Sequence, residues 1–288
     1  MGSMNKKTPA EQASLLDMNP PTSTGDASRI PATGLLVRAV ESEIIPRLVR
    51  AHVASAAPQK PAGPQITDEE VKRLTEQVLY ADDQALQEFV SDLRRRGVSV
   101  QSIFLDLLAP VARQLGEHWS CDTCSFTEVT VAMGRLQQLL RANSSAFGMS
   151  RIGENPQSDK RILLLPCPGE QHTFGLSLVA EFFYRAGWDV STSFVQPTGS
   201  LSALVEREWF DVVGLSLGHT AQAGRLDDCV RQIRRASMNP RVFILAGGVA
   251  FALDPELAGQ VSADAVINDA ASAPQVAAAL LSQTSVLP

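Results

Sequence analysis

The chain lacks what several protein classes need. No apolar run approaches the roughly 20 residues that span a bilayer, and no secretory signal precedes the first polar stretch. Four cysteines in 288 residues are too few for a disulfide scaffold. Positive charge is short as well: 25 Lys and Arg against 31 Asp and Glu leave −6, a poor balance for a mainly electrostatic nucleic-acid binder. Aromatic residues make up only 6%. What remains is a chain with 44% hydrophobic residues, long enough for about two domains, expected to be soluble and cytoplasmic.

Organisation follows from periodicity. Residues 1–33 are polar and Pro/Ser-rich, the composition of a disordered tail. An apolar helical period follows over 34–54, with Pro46 inside it, and 55–66 reads as a linker with three prolines. Helices are predicted over 68–80, 83–95, 100–117 and 126–148, with Pro110 expected to kink the third. Short connections make residues 67–148 a small helical bundle. After a linker over 149–160 the period changes. Strands are predicted at 161–166, 188–194, 210–217, 241–246 and 263–268, alternating with helices. That alternation over 161–288 means a parallel α/β sheet, and five strands of this spacing suit the flavodoxin-like order 2-1-3-4-5. Ligands of such sheets bind beyond the carboxyl ends of the strands, so the loops after 166, 217 and 246 are where chemistry belongs.

Those loops hold Pro168-Gly169-Glu170-Gln171-His172-Thr173-Phe174-Gly175, then Ser216-Leu217-Gly218-His219, then Gly247-Gly248. In that order they resemble the cobalamin-binding domain, with its Asp-x-His-x-x-Gly, Ser-x-Leu and Gly-Gly elements. The resemblance implies a flavodoxin-like (Rossmann-like) sheet preceded by a four-helix cap, and a cofactor lined by residues of these three loops. Gln171, Thr173, Phe174, Leu217 and His219 belong to that lining. By the same resemblance His172 is the lower axial ligand to cobalt, and Glu170 holds its other ring nitrogen. Gly175 lets backbone approach the nucleotide tail, Ser216 bonds the displaced benzimidazole, and Gly247 and Gly248 leave room for the tail. Two positions depart from the pattern: Glu170 stands where Asp is usual, and Gly218 where Leu is usual. Trp119, in Leu115-Gly116-Glu117-His118-Trp119, matches the residue that covers the upper corrin face. The Glu-His pair of light-sensing cobalamin repressors is replaced here by Val129-Thr130, and the His that follows their Trp by Ser120.

A narrower resemblance covers most of the chain. Glu41-x-Glu43-Ile44-Ile45-Pro46-Arg47-Leu48, the cap segment 129–137 and the loop 168–175 are similar to the AerR/PpaA antirepressors of photosystem genes. That resemblance implies a non-enzymatic, light-responsive regulator that loads adenosylcobalamin or hydroxocobalamin and binds a CrtJ/PpsR-type repressor. Direct DNA contact is not expected. A corrinoid carrier for a methyltransferase and a haem sensor on the same fold are the other readings. Individual residues keep plainer readings beside these. His219 is either a pocket residue or an ordinary loop histidine, Trp119 a cap or a bundle-core residue, and Cys121-x-x-Cys124 a redox pair or two plain thiols. Arg94, Arg95, Arg96, Arg231, Arg234 and Arg235 read as solvated surface. His52 suits a helix C-terminus.

Overall fold

The computed structural model describes residues 63–148, 159–193 and 202–284. The expected tail, the helix over 34–54, most of both linkers and His52 lie outside the described residues.

The helical block starts where its capping residues say it should. Thr67 accepts the Glu70 amide at 3.2 Å and the Glu70 carboxylate accepts the Thr67 amide at 2.8 Å, a reciprocal cap for α1 (Asp68–Tyr80). Asp82 caps α2 (Asp83–Arg95) by accepting the Ala85 amide at 2.8 Å. That helix ends at Gly97, φ +90°, where the Gly97 amide bonds Arg94 and the Val98 amide bonds Leu93. Glycine supplies the left-handed backbone this stop requires. Ser125 and Glu128 repeat the reciprocal cap at the start of α5 (Phe126–Gly148).

The third predicted helix differs from expectation. It opens as the short α3 (Val100–Ser102), widens into a π-helical stretch at Ile103–Leu108 and resumes as α4 (Ala109–Ser120). The Ala109 amide reaches back five residues to the Phe104 carbonyl. Pro110 explains the location: it has no amide to donate, and its ring crowds the carbonyl four residues earlier. Widening the preceding turn relieves that conflict within the helix.

The sheet has the order β2-β1-β3-β4-β5, all parallel, from β1 (Arg161–Pro166), β2 (Asp189–Thr192), β3 (Val212–Ser216), β4 (Phe243–Gly247) and β5 (Ala265–Ile267). Side chains alternate between its two faces, and both faces are covered. Ile162, Leu164, Val212 and Leu245 pack with α6 (Phe174–Arg185) and α10 (Ala273–Thr284). Leu163, Leu165, Val213, Leu215 and Ile244 pack on the other face with α7 (Ser202–Val205), α8 (Ala223–Ala236) and α9 (Val249–Leu253). The edge strands β2 and β5 are shorter than their predicted ranges. Helix α9 falls just ahead of the expected broken helix, which takes the form of a 3₁₀ turn at Pro255–Gly259.

The cap and the sheet share a core. Phe174, Leu178 and Phe182 of α6 are buried among Leu74, Phe104, Leu136 and Leu140 of the cap. At full burial each such side chain contributes about 1.5–3 kcal/mol. At that junction the Arg185 guanidinium donates to Gln101 Oε1 at 3.0 Å. Burial there raises the Glu181 pKa, against the opposing bond from the Ser144 hydroxyl.

Candidate cobalamin site

All three candidate loops emerge at the carboxyl edge of the sheet, because β1, β3 and β4 run in one direction and in register. Pro166 stands opposite Ser216, and Ser216 opposite Gly247. The Cys167 amide bonds the Ser216 carbonyl at 2.8 Å, and the Leu217 amide bonds the Gly247 carbonyl at 2.8 Å. Beyond Cys167 the first loop turns sharply through Gly169, φ +86°, and the Glu170 amide closes the turn on the Cys167 carbonyl at 2.8 Å.

That turn drives Glu170 inward, where its side chain is 1% exposed. A buried carboxylate must be hydrogen-bonded, and this one is. Oε1 accepts the His172 backbone amide at 2.7 Å and lies 2.6 Å from His172 Nδ1; Oε2 accepts the Gly218 amide at 2.6 Å. Burial works against the charged form. The bonds from the His172 amide and ring and from the Gly218 amide outweigh it, so the Glu170 pKa lies below the ordinary carboxylate range. An ionised carboxylate only accepts, so Nδ1 is the donor to it, and in the neutral ring this leaves the lone pair on Nε2. The His172 side chain is 60% exposed, which presents that lone pair to a ligand.

Glu170 and Gly218 are the two departures from the cobalamin-domain pattern, and they fit one another. A Cβ built at Gly218 would stand 2.7 Å from Glu170 Cδ and closer still to Oε2. The longer acid fills the space that the missing side chain leaves. The same arrangement brings His219 Nδ1 to 3.7 Å from Glu170 Oε2 and sets the two imidazole centroids 5.1 Å apart.

Other expected site residues fall into two groups. Gln171 is exposed, Thr173 half-buried at the start of α6, and Gly175 open, with no atom within 4 Å of a Cβ built there. Ser216 is half-buried, and its hydroxyl makes no hydrogen bond among the described residues. Phe174 and Leu217 are instead core residues, 6% and 0% exposed, turned into the cap cluster and the cluster beneath β3. The glycine pair is also constrained from inside the fold. A Cβ at Gly247 would meet the Ile267 carbonyl oxygen at 2.9 Å, and one at Gly248 the Leu217 backbone. Trp119 is 47% exposed, outside the bundle core, at the end of α4. Nearby, Cys121 and Cys124 are free thiols, and His118 Nδ1 lies 3.0 Å from Thr123 Oγ1. Among the arginines read as surface, Arg95 pairs with Asp92, Arg96 with Glu70, Arg231 with Asp227 and Asp228, and Arg234 with Asp264.

Two comparisons bear on these loops and on the bundle beside them. Residues 160–278 match a B12 binding domain family, and residues 70–142 match a second B12 binding domain family. The bundle and the sheet thus each match a B12 binding domain. Cobalamin is accordingly the cofactor of this chain. The chain is 29% identical over 180 residues to an uncharacterized 20.5 kDa protein of Rhodobacter capsulatus from the bchF-crtJ intergenic region. That alignment covers 62% of this chain and 91% of the relative. Among solved structures the chain is similar to a monomethylamine corrinoid protein of Methanosarcina barkeri, with a TM-score of 0.59 and 15% identity. That match covers 74% of this chain and 98% of the other, and at such identity it speaks for the fold. No described helix is long and apolar enough to cross a membrane.

The geometry fits the cofactor where it can be tested. An imidazole anchored through Nδ1 lies in the first loop, a serine hydroxyl with no hydrogen bond among the described residues ends β3, and an open glycine lies in the first turn of α6. The Glu170 anchor also makes a prediction about pH. Its folded pKa is lowered, so its contribution to stability is fully present above the ordinary carboxylate value of about 4.3 and is lost as pH falls through the folded value. The difference in unfolding free energy between wild type and Glu170→Gln should not fall between neutrality and about pH 5, and should shrink below it. A difference that shrinks already near pH 6 would contradict the lowered pKa.

Proposed function

We propose that this protein is a cobalamin-binding regulator of transcription that acts through a CrtJ/PpsR-type repressor, as the AerR/PpaA antirepressors do. The observation that carries this reading is the relative from the bchF-crtJ intergenic region, joined to a site built for an axial imidazole. In it His172 is the lower ligand through Nε2, and Glu170 fixes the tautomer and raises the basicity of the ring. Ser216 and Gly175 face the nucleotide tail, and Trp119 offers an exposed flat apolar surface beside the upper face. Bound as adenosylcobalamin, the cofactor would supply a light-sensitive cobalt–carbon bond.

The chain's own contribution is mechanical coupling. His172 is followed after one residue by Phe174, which starts α6 and is embedded in the cap core with Leu178 and Phe182. A displacement of the His172 loop is therefore carried into the cap along one helix. Such a switch requires contacts that differ between two states, and the shared cap–α6 core is the element that both states must repack.

His172→Ala removes the ligand itself and is expected to weaken hydroxocobalamin binding at least about 100-fold, beyond the loss of a supporting residue. It should also change the visible spectrum of the bound cofactor, with added imidazole restoring the spectrum. Retention of the wild-type spectrum would remove His172 as ligand. The regulatory part is tested with purified repressor on operator DNA. Release of the DNA on adding cobalamin-loaded protein, in a manner that illumination changes, is the expected result. Methyl transfer from a partner enzyme to the bound cofactor, with no effect on the repressor, would establish a carrier instead.

A further inference from the structure

We propose that the cofactor-free protein binds a divalent first-row cation such as Zn²⁺ at Glu170, His172 and His219, and that this ion and cobalamin exclude one another.

The three side chains each offer a ligand atom, and these atoms lie within 4.8 Å of one another. Two imidazoles and one carboxylate form a donor set that zinc and related ions accept while keeping a position open. The spacing suits an ion. Two donors on a tetrahedral centre with bonds near 2.0–2.1 Å stand about 3.3–3.4 Å apart. His219 Nδ1 and Glu170 Oε2 are 3.7 Å apart, within a few tenths of that separation. His172 Nδ1 is now closer, 2.6 Å from Oε1, because a proton and not a metal lies between them. An ion entering there replaces the proton, and a modest turn of the exposed ring makes the room.

Burial and access also favour an ion. Glu170 is 1% exposed and kept in place by the Gly218 amide, whereas His172 and His219 are 60% and 58% exposed. The carboxylate is therefore preorganised, and the imidazoles close over it from the solvent side. Exclusion follows from the ring itself. Metal on Nδ1 moves the proton to Nε2, and a protonated Nε2 has no lone pair for a second metal. This last step rests on the proposed role of His172 toward cobalt; the zinc site itself does not.

The test is calorimetric titration of full-length cofactor-free protein with Zn²⁺. One equivalent should bind, and His219→Ala and His172→Ala should each weaken it at least about 100-fold, beyond the cost of losing a merely supporting residue. His219 is exposed, so the variant should fold, which its thermal unfolding checks. His118→Ala and the pair Cys121→Ser and Cys124→Ser should leave the affinity unchanged. With zinc bound, the apparent Kd for hydroxocobalamin should rise in proportion to free Zn²⁺. No zinc binding, binding that survives His219→Ala, or binding lost with Cys121 and Cys124 overturns the site. Zinc binding without any effect on cobalamin affinity overturns the exclusion alone. Zinc binding in a protein that takes up no cobalamin would sink the regulatory reading and leave the site standing.

Discussion

Gly218→Ala is expected to lower cobalamin affinity about 100-fold, and Glu170→Asp in the same chain is expected to restore most of it. The added methyl would sit 2.7 Å from Glu170 Cδ and nearer to Oε2. The carboxylate then has to leave its place. On leaving it gives up the Gly218 amide, the His172 amide and the His172 ring together, because all three converge on that one group. Charge-assisted hydrogen bonds contribute about 1.5–3 kcal/mol each, and a buried carboxylate stripped of partners costs more than their absence alone. Aspartate withdraws the carboxylate by one methylene, about 1.5 Å, which takes it out of contact with the new Cβ. The two substitutions should therefore be strongly non-additive, with the double variant closer to wild type than Gly218→Ala alone. Cobalamin titrations of the four proteins complete the cycle. Additive losses would mean that residues 170 and 218 act separately, and that the two departures from the family pattern are unrelated.

That coupling shows where reading the sequence stops. The strands were legible because residues buried on both faces form unbroken apolar runs such as Ile162-Leu163-Leu164-Leu165, and the strand order followed from alternation with helices. Helix starts were legible from the changes of apolar period at 68 and 83, where Thr67 and Asp82 cap their own near neighbours. Each candidate loop could be located because its residues follow a strand end directly. Contacts across the chain were not legible. Glu170 meets Gly218 at a distance of 48 residues, and neither position looks compensated by itself. Phe174 and Leu217 were themselves expected to line the cofactor with the rest of their loop motifs, yet the packing of α6 and β3 turns them inward. Pro110 announced a defect in its helix, but whether the backbone bends or widens there depends on the core around Ile103, Phe104 and Leu107. Trp119 was ambiguous for the same reason, since local spacing does not say whether the bundle core reaches the end of α4.

The largest loss of stability is expected from Gly248→Ala, and the same substitution at Gly175 should do the opposite. Gly248 has φ +113° and ψ 169°, a region that only glycine occupies without strain. A Cβ there would stand 2.8 Å from the Leu217 nitrogen, 2.9 Å from its carbonyl carbon and closer still to the oxygen. Those atoms are backbone and cannot rotate away. They are held by the Leu217 amide on Gly247 and by the Ala250 amide on Leu217, so relief requires opening the ends of β3 and β4. Strain and the lost bonds together amount to roughly 3–5 kcal/mol, a large part of the stability of a domain. Gly175 lies in the first turn of α6, and nothing stands within 4 Å of a Cβ built there. Alanine in a helix is favoured over glycine by about 0.5–1 kcal/mol, so Gly175→Ala should raise stability. If the nucleotide tail passes over Gly175, the same variant should weaken cobalamin binding. Denaturant unfolding and cobalamin titration on both variants separate the two roles. A Gly175→Ala protein that is more stable and binds cobalamin normally would mean that the tail runs elsewhere, whereas Gly248→Ala should lose binding only through loss of the fold.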